Sequence, residues 1–245
     1  MKSKKILIFI PTYNACKTIT KVLDRIPTDL KNKVAELLVS DDGSSDNTFQ
    51  LVLDYKKINN VKCLKAIKHE TNKGYGKHLK WAYQYAISEG FDIVVNLHGD
   101  GQYAPEKLQE MIEPLENNSA DMVMGSRILG NEVIKGGMPF EKIIGNRLLT
   151  GLGNLFLGTK LSEYHSGYRA YSCHALRKVP FMSFSNTFVF DIELMIELYK
   201  AGMRIKEIPI PTFYGEEISH VKIFSYGLEF LHCVLKNSFK SKKLM

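Results

Sequence analysis

The chain has 245 residues, 44% hydrophobic and 24% charged. That balance suits one large α/β domain and excludes disorder, collagen and coiled coil as global descriptions. Lysine plus arginine outnumber aspartate plus glutamate by 33 to 26, a net charge of +7; the excess suits phosphates, anionic lipid or nucleic acid without choosing among them.

The first predicted element is a buried strand over 6–10. A basic tip precedes it, but the apolar run ends at Pro11, too early for a signal-peptide core, so a cytoplasmic product is expected. No stretch reaches about 18 consecutive apolar residues, so no membrane-crossing helix is expected. Short apolar runs, most of them rich in β-branched residues, predict further strands over 34–40, 61–67, 91–97 and 120–126. Between the third and fourth strands, Leu79, Ala82, Tyr83, Ala86 and Ile87 form a helical stripe that Gly90 stops. Pro105 opens another helix, with Leu108, Met111 and Ile112 on one side. Helices are expected near 142–157 and 191–201, a strand over 204–211, and an amphipathic segment over 221–236. Repeated β-α-β-α order predicts a doubly wound, mostly parallel sheet flanked by helices, with the second half completing one domain. Cys16, Cys63, Cys173 and Cys233 lie far apart with no paired spacing, so reduced thiols are expected, not a zinc site or disulfides.

In an open α/β sheet, ligands bind beyond the carboxyl ends of the strands. Polar clusters fall there four times: "PTYNA", "SDDGSSDNT", "HETNKGYGK" and "HGDGQYAPE". Asp41 and Asp42 can accept from a base N–H or ribose hydroxyls, while Ser45 or Asp46 can cap the next helix. Gly74 and Gly76, with Lys73 or Lys77, can approach a diphosphate through backbone N–H groups. They are not a dinucleotide fingerprint, because Leu79 stands where its next glycine belongs, and no Walker A motif occurs. His98, Asp100 and Gln102 are spaced i, i+2, i+4, and an extended chain would point all three to one side. Together with a ligand's phosphates they can share magnesium or manganese; the competing reading is a polar strand end with a hydrogen-bonded histidine.

"PTYNA", "DDGSSDNT", "NKGYGKHLKWAY", "GDGQYAPE", "GSR" and "SGYRAYS" occur in the order found in the large inverting glycosyltransferase family (family 2) of GT-A fold. Over roughly 6–210 the chain resembles the dolichol-phosphate mannosyltransferases and polyprenyl-phosphate sugar transferases of that family. The resemblance implies a single GT-A domain over 1–220, with a nucleotide-binding half to about 128, an acceptor-binding half over 129–220, and a basic amphipathic segment over 221–245. It implies that Pro11, Thr12, Tyr13, Asn14, Asp41 and Asp42 hold the nucleotide of a nucleotide-diphosphate sugar, with Lys73, Gly74, Lys77 and Gly99 beside the donor. The family's Asp-x-Asp metal motif falls on His98 and Asp100, with Gln102 following. Imidazole in place of one carboxylate lowers the site's negative charge and favours Mn2+ over Mg2+. Arg127 and Arg169 are implied as phosphate contacts, a role that bidentate guanidinium geometry suits.

The implied acceptor is a polyprenyl or dolichyl phosphate, or a lipid- or glycan-linked hydroxyl. A phosphate anion attacks unaided, whereas a hydroxyl needs a base, for which Asp191 and Glu193 are the candidates; helix capping is the other reading of Asp191. "PTFYGEEISHVK" places Glu216 and Glu217 where the mannosyltransferase pattern carries an arginine, leaving His220 and Lys222 as cations. The tail's apolar face (Phe224, Leu228, Leu231, Val234, Leu235), followed by Lys236, Lys240, Lys242 and Lys243, either packs on the core or rests peripherally on the cytoplasmic membrane face. Two other functions stay open. One is a sugar-nucleotide-binding module without turnover. The other is a nucleotidyltransferase, which would want a Gly-rich, Arg-containing loop where "PTYNA" stands. Nucleic-acid binding has only the net charge in its favour.

Overall fold

The computed structural model describes residues 3–130, 137–211 and 223–241. Its elements run β1 (Ile6–Thr12), α1 (Ile19–Arg25), α2 (Thr28–Lys33), β2 (Glu36–Asp41), α3 (Thr48–Ile58), β3 (Leu64–Lys68), α4 (Tyr75–Ser88) and β4 (Ile93–Asn96). There follow α5 (Leu108–Glu116), β5 (Met122–Ser126), α6 (Phe140–Leu157), β6 (Arg169–Ser172), α7 (Cys173–Leu176), α8 (Phe190–Lys200), β7 (Ile205–Pro209) and α9 (Ile223–Ser241).

The continuous apolar runs become central strands because both of their faces are covered. All seven strands join one sheet in the order β3-β2-β1-β4-β6-β5-β7. The pairs β1–β2, β2–β3, β1–β4 and β5–β7 are parallel, and β6 runs antiparallel between β4 and β5. On one face Ile8, Ile10, Val95 and Ala170 pack under α1, α2, α3 and α5 through Val22, Leu30, Val52 and Met111. On the other, Leu7, Phe9, Val94 and Tyr171 pack under α4, α7, α8 and α9 through Leu79, Leu176, Met195 and Phe230. Strands from both sides of residue 128 share this sheet.

Strand β6 lies inside "SGYRAYS" and is absent from the expectations. Its signal is alternation: Tyr168 and Ala170 face one core layer, Tyr171 the other. Helix α4 begins at Tyr75, a turn before its apolar stripe, and Glu89 follows its last residue. Pro105 opens a short 3-10 turn that feeds α5.

The tail face is corrected. Helix α9 inserts Phe230, Cys233 and Val234 into the core, while Leu228 and Leu235 remain exposed; the side chains of Phe224 and Lys240, and the residues Lys242 and Lys243, lie outside what is described. All four cysteines are free thiols. Among the described residues no helix is long and apolar enough to cross a membrane.

Candidate active site

Strand order reverses between β1 and β4, so their carboxyl ends open the crevice where such sheets bind ligands. The end of β1 ties the neighbouring loops together. Thr12 O accepts the Asp42 N–H at 2.8 Å, and Pro11 O accepts the Gly99 N–H at 3.2 Å. A Cβ on Gly99 would lie 2.5 Å from Thr12 Cγ2, so only glycine permits this approach. Asp42 and Gly99 are thus anchored on the same strand end, one residue apart. Tyr13 is partly exposed, and Asn14 takes a left-handed conformation (φ 51°). From there Asn14 Oδ1 accepts the Ser45 N–H at 3.0 Å, and Ser44 Oγ accepts the Asn14 N–H at 2.8 Å.

Both members of the acidic pair shape loops. Asp41 Oδ1 accepts the Ser44 N–H at 2.9 Å, and its Oδ2 is enclosed without a partner. Asp42 accepts the N–H groups of Lys73 (2.9 Å) and Gly74 (3.1 Å). The Gly76 N–H donates to Asn186 O at 3.1 Å. These engagements correct the expectation that Gly74 and Gly76 offer backbone N–H groups to a diphosphate, because those donors are taken. Lys77 is exposed and Lys73 half-buried. The cap of α3 is corrected as well. Asn47 occupies the cap position, and Asp46, one residue earlier, accepts the Thr48 N–H at 3.0 Å.

Beneath Asp41 lies a polar cluster that the sequence reading missed. Ser40 Oγ sits 3.1 Å from His69 Nε2 and 2.8 Å from His78 Nε2. Burial, with His69 and Lys73 nearby, pushes the His78 imidazole down to about 3. Both histidines flank motifs that were read for their glycines and lysines.

The extended geometry expected for His98, Asp100 and Gln102 does not persist. Strand β4 ends at Asn96 and the chain turns, with Asp100 Oδ1 accepting the Gln102 N–H at 3.0 Å. The turn still brings His98 Nδ1 to 3.9 Å from Asp100 Oδ2. The His98 ring meets Tyr103 edge-on at 5.0 Å and Tyr75 at 5.8 Å. Gly167 gives the ring its space, since a Cβ there would come within 2.6 Å of it.

Both arginines differ from the expected phosphate contacts. Arg169 is fully buried. It donates to the carbonyls of Ser166 (2.8 Å), Tyr164 (2.7 Å) and Asp191. A guanidinium that is enclosed and bonded to three carbonyls holds the 164–169 segment and the start of α8 together. Arg127 pairs with Glu163, donating from Nε at 2.8 Å and also from Nη2, while its backbone N–H reaches Glu163 Oε2 at 2.8 Å. Asn146 adds a fourth side-chain or backbone donor group to that carboxylate at 2.7 Å. Burial raises the Glu163 carboxyl, but Arg127 outweighs it and the group lies below its usual range.

Asp191 lies in the first turn of α8, whose cap position is Val189, so Asp191 is not the cap. Its Oδ2 accepts the Tyr75 hydroxyl at 2.7 Å, and its Oδ1 is buried without a partner. Glu193 Oε2 accepts the Ser185 N–H at 2.5 Å. Glu216, Glu217, His220 and Lys222 lie outside the described residues.

His98 Nδ1 and Asp100 Oδ2 fit a divalent ion as part of a ligand set, while Gln102 is placed here only by its backbone N–H on Asp100. Among the described residues no three His, Cys, Asp or Glu side chains gather as a cage. The remaining positions would fall to diphosphate oxygens and water, which is how such ions are commonly held beside a nucleotide.

The Glycosyl transferase family 2 model matches residues 7–180. The UDP-N-acetylglucosamine–dolichyl-phosphate N-acetylglucosaminyltransferase of Methanococcus voltae is 32% identical over 226 residues, covering 88% of each chain. The undecaprenyl-phosphate mannosyltransferase of Micrococcus luteus is 28% identical, covering 89% of this chain and 87% of its own. Among solved structures, the glucosyl-3-phosphoglycerate synthase of Mycobacterium tuberculosis, with Mn2+, uridine diphosphate and phosphoglyceric acid, superposes with a TM-score of 0.70 at 18% identity. It covers 96% of this chain and 78% of that one. This likeness shows the GT-A fold.

Proposed function

The chain belongs to glycosyl transferase family 2, and from that premise we propose that it moves a sugar from a nucleotide-diphosphate donor onto a polyprenyl phosphate. The observation that carries the choice of acceptor is the state of the two candidate bases. Asp191 has one oxygen on Tyr75 and the other enclosed, and Glu193 holds the Ser185 N–H. A hydroxyl acceptor needs a free base within reach. A phosphate acceptor is already an anion and needs none.

The donor lies in the crevice between the 13–14 loop and the turn at 98–102, with Lys73 and Lys77 on the rim. Cleavage places negative charge on the leaving diphosphate and positive character on the anomeric carbon. A divalent ion, Mn2+ by preference, supplies charge neutralisation there when bound. His98, Asp100 and Gln102 would hold it. Asp42 fixes the backbone of Lys73 through its N–H, which sets where this side chain leaves the loop. Arg127 and Arg169 act one layer back, holding the acceptor-side segments in place.

A lipid acceptor wants an enzyme that meets the bilayer from a peripheral, cytoplasmic-face position. Phe140, Ile144, Leu148 and Leu155 are exposed along one side of α6, and Leu228 and Leu235 are exposed on α9, which packs against it. Exposed apolar side chains on two adjoining helices suit an interfacial contact.

The test is transfer from a panel of nucleotide-diphosphate sugars, with Mn2+ or Mg2+, onto a short-chain polyprenyl phosphate and onto the matching polyprenol. Product from the phosphate alone is expected. Transfer to the polyprenol but not to its phosphate would overturn the proposal.

A further inference from the structure

The metal-side histidine and the acceptor-side carboxylate are joined by a tyrosine that no motif singles out. Tyr75 opens α4, and its ring stacks on Phe188 with centroids 4.8 Å apart. Its hydroxyl lies 2.7 Å from Asp191 Oδ2 and 3.3 Å from His98 Nε2. A phenol has one hydrogen to give. A carboxylate only accepts, so that hydrogen goes to Asp191. The His98 nitrogen must then be the donor, as Nε2–H to the phenolic oxygen. One of the two Asn96 amide hydrogens goes to Gly167 O at 3.1 Å, and the amide nitrogen stands 3.5 Å from Nε2, farther than the Tyr75 hydroxyl at 3.3 Å.

The polarity of this chain has a consequence at the far side of the ring. With the proton on Nε2, a neutral His98 presents a bare lone pair at Nδ1. That lone pair faces Asp100 Oδ2, an acceptor, across 3.9 Å. Two acceptors at that distance form no bond with each other, but both can serve one cation placed between them. Ligating histidines are commonly oriented in this way, by donating the other ring N–H to a neighbouring group. Here the orienting carboxylate acts through a hydroxyl.

We propose that Tyr75 is a positioning residue which, anchored by Asp191, fixes the Nε2–H tautomer of His98 and aims Nδ1 with Asp100 at the divalent ion beside the donor diphosphate. This rests on the metal-assisted transfer proposed above and gives Asp191 a task that an anionic acceptor otherwise leaves it without. Asp191 touches neither the ion nor the reacting atoms in this scheme. Its substitution still weakens the ion's hold.

The experiment measures Mn2+ binding by electron paramagnetic resonance in the presence of uridine diphosphate, for the wild-type protein and for Tyr75→Phe, Asp191→Asn, His98→Ala and the Tyr75→Phe/Asp191→Asn pair. Electron spin-echo modulation reads the nitrogen coupling of a bound imidazole, and thermal melts establish folding. The wild type is expected to bind Mn2+ with a nitrogen coupling. Tyr75→Phe and Asp191→Asn should each weaken binding about 10- to 100-fold and diminish that coupling. The pair should be little weaker than either single variant, because both act along one chain. Tyr75→Phe keeps the ring stacked on Phe188, and Asp191→Asn supplies an independent variant should one fail to fold. Folded Tyr75→Phe and Asp191→Asn proteins that bind Mn2+ within about threefold of wild type, coupling intact, would overturn the relay and leave the transfer proposal standing. No nucleotide-dependent Mn2+ binding by the wild type, or binding that His98→Ala leaves unchanged, would overturn the relay at its root; the first of these also removes the metal from the proposed function.

Discussion

Replacing Arg127 with methionine separates two roles for a motif arginine. If it grips a substrate phosphate, Arg127→Met lowers turnover and leaves the folded protein as stable as before. The structure instead gives Arg127 to Glu163, whose side chain is fully buried (0% exposed) and takes donors from Arg127 and Asn146. Removing one member of a buried pair leaves an uncompensated charge and costs about 3–5 kcal/mol. That is a large share of a typical 5–15 kcal/mol total stability. With an unfolding entropy of about 2.1 cal/mol/K per residue, a chain of 245 residues gains about 0.5 kcal/mol/K, so the melting temperature should fall by roughly 6–10 °C. The pair Arg127→Met/Glu163→Leu should recover much of that loss, because an apolar replacement of both partners is often neutral. Differential scanning calorimetry and urea titration read both variants without any assay of turnover. A single variant within about 1 kcal/mol of wild type would refute the structural role and return Arg127 to the substrate.

Gly167→Ala should lower activity at least tenfold, since the added methyl meets the His98 ring 2.6 Å away, and a circular-dichroism melt run alongside separates this from unfolding. Chelation should abolish transfer, with Mn2+ restoring it better than Mg2+; magnesium clearly superior to manganese would count against the imidazole's part in the site. The buried histidines set an acid limit. The folded pKa values of His78 and His165 are depressed to about 3 and about 4, below an unfolded value near 6.5, so their contribution is complete above pH 6.5 and is lost as pH falls through that window. By pH 5 each should have withdrawn about 2 kcal/mol, and a urea midpoint that stays flat from pH 7 to 5 would contradict their burial as neutral rings. Flotation with anionic vesicles should carry the protein, and aspartate at Ile144 and Leu148 together should reduce that recovery several-fold.

Much of the fold was legible because its strands are apolar runs covered on both sides, and four polar clusters marked their carboxyl ends. Strand β6 escaped because four residues carrying an arginine look like loop chemistry; pairing with β4 on one side and β5 on the other makes them a strand. The candidate site was legible as residue types and much less as partners. Asp42 suits the N–H of a base or ribose hydroxyls by its chemistry and its motif, and in the fold it accepts two backbone N–H groups. Arg127 suits a phosphate in the same way, and its partner Glu163 lies 36 positions on with nothing local to betray it. Tyr75 stands between two glycines with no local sign of its role, since its partners Asp191 and His98 are 116 and 23 positions away.

These residues have one physical task in common, and it bears on how the crevice works. A ligand group on a mobile loop must be ordered when substrate arrives, and that ordering subtracts from binding. Here the loops are ordered beforehand by the charged and polar residues that a sequence motif advertises. Asp42 clamps the entry to α4, Asp41 closes its own turn, Arg169 joins the 164–166 carbonyls to α8, and Gly99 rests against Thr12. Motif residues therefore divide by exposure into those open to a substrate and those that hold the loops still. Tyr13, Lys77, Asp100 and Gln102 keep contact with solvent and can meet a donor, whereas Asp41 and Arg169 are closed off. Substitution in the closed group should depress stability and activity together, while substitution of the open residues should raise KM or lower kcat at unchanged melting temperature.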